Sequence, residues 1–328
     1  CSVSVSTVSR VLNDRPDVSE DVRRKVLSAI KNSNYIPNNS ARDLVRTKSD
    51  AVGLVVRGVS NPFYTDIIRA IERTITDAGF TMVMQQIGTC DDEVKCGAVM
   101  EREKRLQGIV LLGGRFDYTP ADLAMLNVPF VCCSYSNRYG TLIEGEYSSV
   151  SIADGDTAQQ AVEELYRHGH RRIAALISRP NDQSISQLRY EGYVQALESH
   201  GIPVAPELVI STGGFSAKDA YRAVQEKMAE NVDFTALFAI ADSMAIGAMR
   251  ALMDAGRRIP EDCSVIAIDG LELSAYIEPP LTTLCQPMEE MGRRSAEILL
   301  DMVRHKGSHA CELLPTTLRR GRSVAAPR

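Results

Sequence analysis

The chain has 328 residues, about twice the length of an ordinary single domain, and its 44% hydrophobic and 24% charged residues exclude collagen-like, low-complexity and mainly disordered architectures. Its net charge of −5 is uneven: residues 1–48 hold nine Lys/Arg against five Asp/Glu, and the remainder holds 28 against 37. A basic head thus precedes an acidic body, which suits a polyanion partner for the head and equally describes a solvated surface.

The opening segment Ser4 to Asn13 (SVSTVSRVLN) sets Val8, Val11 and Leu12 at helical spacing, with Ser6, Arg10 and Asn13 opposite and Ser4 as N-cap. After the turn-like Asp14-Arg15-Pro16-Asp17, a second helix starts behind Ser19 and ends near Asn32. Glu20 and Asp21 suit the positive end of its dipole, and Val22, Val26, Ala29 and Ile30 are its apolar residues. Tyr35-Ile36-Pro37-Asn38 interrupts the pattern. The next stretch, residues 39–46, has only Ala41, Leu44 and Val45 apolar, too little to hold a helix alone.

From Ala51 onward, short β-branched runs alternate with amphipathic helices: AVGLVV, TMVMQQI, GIVLLGG, PFVCCS, RIAALIS, ALFAIA and SVIAID. That is a parallel-sheet pattern, at a spacing near the roughly 30 residues of a βαβ unit. The predicted fold class is α/β, with two doubly wound parallel-sheet lobes behind a small all-α head. The first lobe is expected over 50–150 plus 281–310 and the second over 151–280 plus 311–323. Pro279-Pro280 and the following LTTLCQ mark the return, and Met288 to Arg304 is read as a helix. A cleft between the lobes is the natural small-molecule site.

Apolar runs such as Val52 to Val56 and Ile173 to Ile177 stop far short of the roughly 20 residues that cross a bilayer, and the first thirty residues contain no secretory apolar core. Eight cysteines in a chain this long are not a disulfide-framework density, and Cys132 and Cys133, adjacent in an apolar run, read as small buried hydrophobes, which fits a reducing cytoplasm. No Walker loop, G-x-S-x-G elbow, H-E-x-x-H or paired C-x-x-C occurs, so an enzyme lacks its usual templates and no cofactor is expected. His168-Gly169-His170 is not a metal-ligand spacing for a helix, and Cys90 and Cys96 are isolated. Gly113-Gly114 after the run Ile109 to Leu112 serves equally as a strand-ending turn or as a close approach to a ligand.

The head's exposed Ser6, Ser9, Arg10 and Asn13 can donate to phosphates and base edges, and Val5 is small enough to touch a thymine methyl. The strings VSVSTVSRVLN, VSEDVRRKVLSAI and NYIPNNSARDL closely resemble the DNA-binding head of the LacI/GalR family of bacterial transcription regulators. The likeness continues through GLVV, SNPFY, HGHRRIAALI, ADSMAIGAMRAL, CSVIAIDG and PPLTTLCQP, nearly the whole chain. By that resemblance Ser4 to Leu12 is the recognition helix of a helix-turn-helix, with Val5, Ser6 and Arg10 reading bases in the major groove. Thr7, Ser9, Asn13, Ser19 and Tyr35 match phosphate-holding positions. Residues 38–46, from Asn38, match a hinge helix that orders on operator DNA, with Ala41 and Leu44 in the minor groove and Leu44 as its wedge. The family's first helix would lie ahead of Cys1, so the head is expected to be N-terminally truncated.

The body resembles a periplasmic sugar-binding protein, its cleft serving as an effector pocket. Phe63, Arg189, Phe215, Asp242 and Asp269 match positions that contact effectors, and Ser134 matches a polar contact. Arg and Asp suit sugar hydroxyls, and an aromatic such as Phe215 suits their C–H faces. Asp269 has the alternative role of ending a strand and capping the next helix. Two departures, Ala241 for a common Asn and Arg57-Gly58 for a common Pro-Asp, suggest an anionic sugar derivative contacted by Arg57.

The implied function is a cytoplasmic, nucleoid-associated bacterial repressor of sugar-catabolic genes. It would bind palindromic operator DNA as a homodimer, because one head reads only a half-site. No leucine heptad follows the body, which favours a dimer over a tetramer. The rival is a transport-type sugar receptor with the same two-lobed body, against which residues 1–46 argue.

Overall fold

The computed structural model describes residues 3–12, 15–32, 49–58 and 61–328. They fall into two compact units, residues 1–49 and 50–328. In the first, Val5–Leu12 forms α1 and Glu20–Asn32 forms α2, the bounds that capping and periodicity predict to within a residue. The Thr7 N–H donates to Ser4 Oγ at 3.1 Å, so Ser4 caps α1. Val11 and Val26 are buried and give this small unit its apolar centre.

The second unit holds two sheets. The first contains β1 (Ala51–Arg57), β2 (Thr81–Ile87), β3 (Gly108–Leu112), β4 (Phe130–Cys133), β5 (Ser149–Ser151) and β11 (Cys311–Leu313). The second contains β6 (Ile173–Ile177), β7 (Val209–Ser211), β8 (Ala236–Ala239), β9 (Ser264–Asp269), β10 (Thr282–Cys285) and β12 (Thr317–Arg319). The spatial orders, β11-β5-β4-β3-β1-β2 and β12-β10-β9-β8-β6-β7, repeat one topology. The strands are parallel except β12, which runs antiparallel to β10.

The unbroken apolar runs follow from this layering, since a central strand is covered on both faces. Val52, Leu54 and Val56 pack to one side of the first sheet, and Ala51 and Val55 to the other, as a two-residue repeat requires. On the first side lie α3 (Tyr64–Asp77), with Ile67, Ile71 and Ile75 facing in, and α10 (Met288–His305). Each of those isoleucines contributes about 1.5–3 kcal/mol by burial. The other side is covered by α4 (Glu93–Lys104) and the short α5 (Pro120–Leu123). The second sheet is wrapped by α6 (Asp154–Arg167), α7 (Ile185–Ser199), α8 (Ala217–Ala229) and α9 (Asp242–Asp254). Helices α6 and α7 cross so closely that a Cβ on Gly192 would lie 2.1 Å from the Gly155 carbonyl oxygen, which demands glycine there.

The chain passes between lobes three times, at residues 152–153, 286–287 and 314–316. The expected boundaries at 281 and 311 are therefore corrected. Residues 282–285 pair with β9 in the second sheet, Thr282 opposite Ile266 and Cys285 opposite Asp269. Residues 311–313 pair with β5 in the first, Cys311 opposite Ser149. The physical reason is that residues 270–281, with a 3₁₀ turn at Glu272–Ala275, make a crossover within one sheet. Pro279-Pro280 ends that crossover instead of leading back to the first lobe.

Candidate functional site

On α1 the exposed face consists of Ser4, Val5, Ser6, Ser9 and Arg10, and Thr7 is half-buried. Val5 is 86% exposed, an unusual place for an aliphatic side chain at the front of a helix. Arg10 lies 3.4 Å from Asp17 and its carbonyl accepts the Arg15 N–H at 3.0 Å, which ties α1 to the turn. Ser19 is exposed directly ahead of α2. Asn13, Tyr35, Asn38, Ala41 and Leu44 lie outside the described residues, as does the expected hinge helix.

In the second lobe a buried charged cluster forms at the carboxyl ends of the strands. Asp154 opens α6, Arg189 lies on α7, Asp242 opens α9 and Asp269 ends β9. Arg189, only 2% exposed, donates from Nε to Asp154 at 2.9 Å and from Nη1 to the Ile240 carbonyl at 2.5 Å and to Asp269 at 3.4 Å. Asp242 accepts the Leu271 N–H at 2.8 Å and the hydroxyls of Ser274 and Thr283 at 2.7 and 2.6 Å. Its own N–H donates to Asp269 at 3.4 Å. Gln286 donates to Asp269 at 2.9 Å, while its buried Oε1 has no hydrogen-bond partner among the described residues. Arg319 binds the carbonyl of Leu271 at 3.1 Å and the Ser274 hydroxyl. Three carboxylates thus face two guanidiniums.

Burial pushes the Asp269 carboxyl up to about 7; Arg189 opposes that rise and Asp242 adds to it. Burial raises Asp242 and Asp154 too, with hydrogen bonds from Thr283 and Ser274 opposing in the first case and Arg189 in the second. Asp269 also has φ +137, a conformation an L-residue adopts only under constraint, so the surrounding bonds hold it against strain.

The first lobe contributes from the switch between β1 and β3, where ligands enter doubly wound sheets. Tyr64 opens α3, and a Cβ on Gly113 would lie 2.2 Å from its hydroxyl, so the glycine makes room for that group. Burial pushes this hydroxyl up to about 12, Cys133 and Asp269 raise it further, and Arg57 and Arg189 lower it. Tyr64 therefore sits in the field of charges from both lobes. Across the cleft the Tyr139 hydroxyl also donates to Glu191 at 3.1 Å.

Arg57 does not present a free cation. Its Nη2 donates to the Thr89 carbonyl at 2.5 Å, and its Nε lies 3.5 Å from the buried carboxylate of Glu93. Burial raises the Glu93 carboxyl, with the Arg115 N–H and the charges of Arg57 and Arg115 opposing. In this structure the Arg57 charge is therefore already paired with an acid of the first lobe. Phe63 is packed in the first lobe's core, 3% exposed; of the pair, it is Tyr64 whose polar end reaches the charges. Ser134 follows β4 with φ +57, its N–H donating to Val150 at 2.9 Å. Phe215 is half-buried ahead of α8, its carbonyl accepting the Ser243 hydroxyl at 2.8 Å, one residue from Asp242.

The fold joins Arg189, Asp242 and Asp269 directly, whereas Arg57 belongs to a cluster in the first lobe. Asp154, Gln286, Tyr64 and Glu93 escape sequence reasoning. Tyr64, beside Phe63, had the clearest available signal.

The comparisons agree with this architecture. A family model described as bacterial regulatory proteins, lacI family, matches residues 1–38, and one for a periplasmic binding protein-like domain matches residues 162–324. The transcriptional regulator MalR of Clostridium butyricum is 38% identical over 320 residues, 96% of this chain and 94% of MalR. A structure of the regulator CelR with cellobiose is 31% identical with a TM-score of 0.74, covering 98% of this chain and 96% of CelR. The lac repressor dimer bound to operator and the anti-inducer ONPF is 27% identical with a TM-score of 0.81, covering 99% and 96%. Among the described residues no helix is long and apolar enough to cross a membrane. The chain belongs to the LacI family of bacterial regulatory proteins and is a DNA-binding transcriptional regulator, not an enzyme.

Proposed function

We propose that this regulator represses sugar-catabolic genes and that an uncharged sugar between its two lobes sets its affinity for operator DNA. The observation that carries the reading is the buried Arg189–Asp269–Asp242 cluster, an array of hydroxyl-binding groups facing Tyr64 across the cleft. With Arg189 already held by Asp154 and Asp269, and Arg57 already paired, an anion gains little there. The relative CelR is solved in complex with cellobiose, an uncharged sugar. Ser134 and Phe215 complete the set of effector residues, Phe215 against a sugar C–H face, with Arg57 and Phe63 supporting from the first lobe.

Val5, Ser6 and Arg10 read bases in a palindromic operator, while Ser4, Thr7, Ser9 and Ser19 hold phosphates or the helix that contacts them. Asn13, Tyr35, Asn38, Ala41 and Leu44 complete that interface. A homodimer supplies the two heads, and the lac repressor solved as a dimer on operator supports this assembly. The protein works in the cytoplasm, on nucleoid DNA. Lobe closure on the sugar biases the hinge segments, so sugar and operator alter each other's affinity by one coupling energy of about 1–3 kcal/mol.

The test is fluorescence anisotropy of the full-length gene product on duplexes selected from a randomised palindromic library, at stepped salt, with and without neutral mono- and disaccharides. A salt-dependent, sequence-selective complex whose affinity shifts with one sugar is expected, and the direction of the shift separates inducer from co-repressor. Failure to bind duplex DNA, or binding that no sugar alters, refutes the proposal.

A further inference from the structure

Arg57 ends β1 and Glu93 opens α4, both at the carboxyl edge of the first sheet beside the β1/β3 switch. Glu93 is 1% exposed, an expensive place for a carboxylate unless something there uses its charge. Its Oε1 accepts the Arg115 N–H at 2.7 Å and the Tyr118 hydroxyl. Among the described residues its Oε2 makes no hydrogen bond and lies 3.5 Å from Arg57 Nε, which has none either. The bond is one of charge more than of geometry. Arg115, on the other side of Glu93, has its own partners in Asp117 at 3.5 Å and Asp122 at 3.6 Å. The Arg57 side chain is 21% exposed, with Glu93 beside its Nε, and its charge acts on the Tyr64 hydroxyl together with those of Arg189 and Asp269 from the second lobe.

We infer that Glu93 sets the charge class of the effector: by cancelling Arg57 it makes the crevice select an uncharged sugar over a phosphorylated or carboxylated one. This deepens the effector reading above and rests on it. An anion seated on Arg57 would lie within a few ångströms of a second negative charge in a partly desolvated site, where repulsion is poorly screened. Without the carboxylate charge, Arg57 becomes an ordinary anion-binding guanidinium. Glu93 is a specificity-determining residue acting through Arg57; it need not touch the sugar.

Glu93→Gln keeps an oxygen for the Arg115 N–H and the Tyr118 hydroxyl and removes only the charge. Sulfate, whose charge is constant at neutral pH, is the probe, titrated calorimetrically against chloride at matched ionic strength. Wild type should show no saturable sulfate binding, and E93Q should bind at least tenfold more tightly. The double variant E93Q with Arg57→Met should lose the gain. The inference is overturned if E93Q binds sulfate no better than wild type, or if the gain survives loss of Arg57. The wild-type arm does not depend on the folding of E93Q: saturable sulfate binding by wild type that R57M abolishes overturns it as well. Because sulfate reads this charge pair without any sugar, failure here is distinct from failure of a sugar to alter operator affinity.

Discussion

Replacing Asp269 with Asn removes a carboxyl that burial pushes up to about 7. An ordinary aspartate titrates near 4, so the rise of about three units corresponds to about 4 kcal/mol of penalty on the ionised form, at about 1.4 kcal/mol per unit. The attraction of Arg189 is already contained in that shift, so the amide gives up only one acceptor, toward the Asp242 N–H at 3.4 Å, which offsets about 1 kcal/mol. Asn tolerates the backbone at φ +137 at least as well as Asp. The expected net result at about pH 8 is a stabilisation of about 3 kcal/mol. Between about pH 4 and 7 the native protein keeps this proton while the unfolded chain releases it, so wild-type stability falls as pH rises through that window. The variant should lack that decline and be no more stable than wild type near pH 4. Urea denaturation followed by circular dichroism at four pH values reads both curves. A variant less stable than wild type at pH 8, or two parallel pH profiles, would refute the assignment of the buried proton to Asp269. The same variant should lose effector response, the usual trade of stability against function at a strained site.

Arg189→Met strands two buried carboxylates and should cost about 3–5 kcal/mol in urea denaturation; adding Asp154→Asn should recover part of it, and full additivity of the two would contradict their contact at 2.9 Å. Arg10→Ala should lower operator affinity by about 1–3 kcal/mol and relax selectivity at one base position, read by sequencing of selected duplexes; a uniform loss across sequences would place Arg10 on phosphate. His170, buried with its ring nitrogens 3.0 Å from Thr235 and 2.8 Å from the Ala325 carbonyl, has its pKa lowered by burial. Its contribution is present above the ordinary histidine value near 6.5 and is lost as pH falls below it. The exchange protection factor of the Val265 amide, which donates to Ser323 in the same segment, should therefore fall in mild acid. In His170→Gln that acid-dependent step should vanish; its persistence would point to another group.

The runs that became β1, β3, β6 and β9 were legible because burial on both faces leaves an unbroken β-branched string. The three-residue strands β5, β7, β11 and β12 were not, since three residues carry no period. That is why the passage of 311–313 back to the first sheet went unseen. In the site, resemblance pointed to Arg189, Asp242 and Asp269, but Asp154 meets Arg189 across 35 positions of sequence. Glu93 reaches Arg57 the same way, from the start of a helix with no motif of its own. Arg57 read in isolation suggested a cationic crevice; only the fold supplies the acid behind it.

The threefold passage of the chain between lobes has a practical corollary for recombining relatives. The first lobe is completed by α10 and β11, and the second by β10 and β12, so neither lobe is one continuous piece of gene. A single-crossover chimera cut near residue 152 would pack α10 and β11 of one relative onto β1 to β5 of another. Transplanting either lobe whole therefore requires several coordinated splice points along the coding sequence.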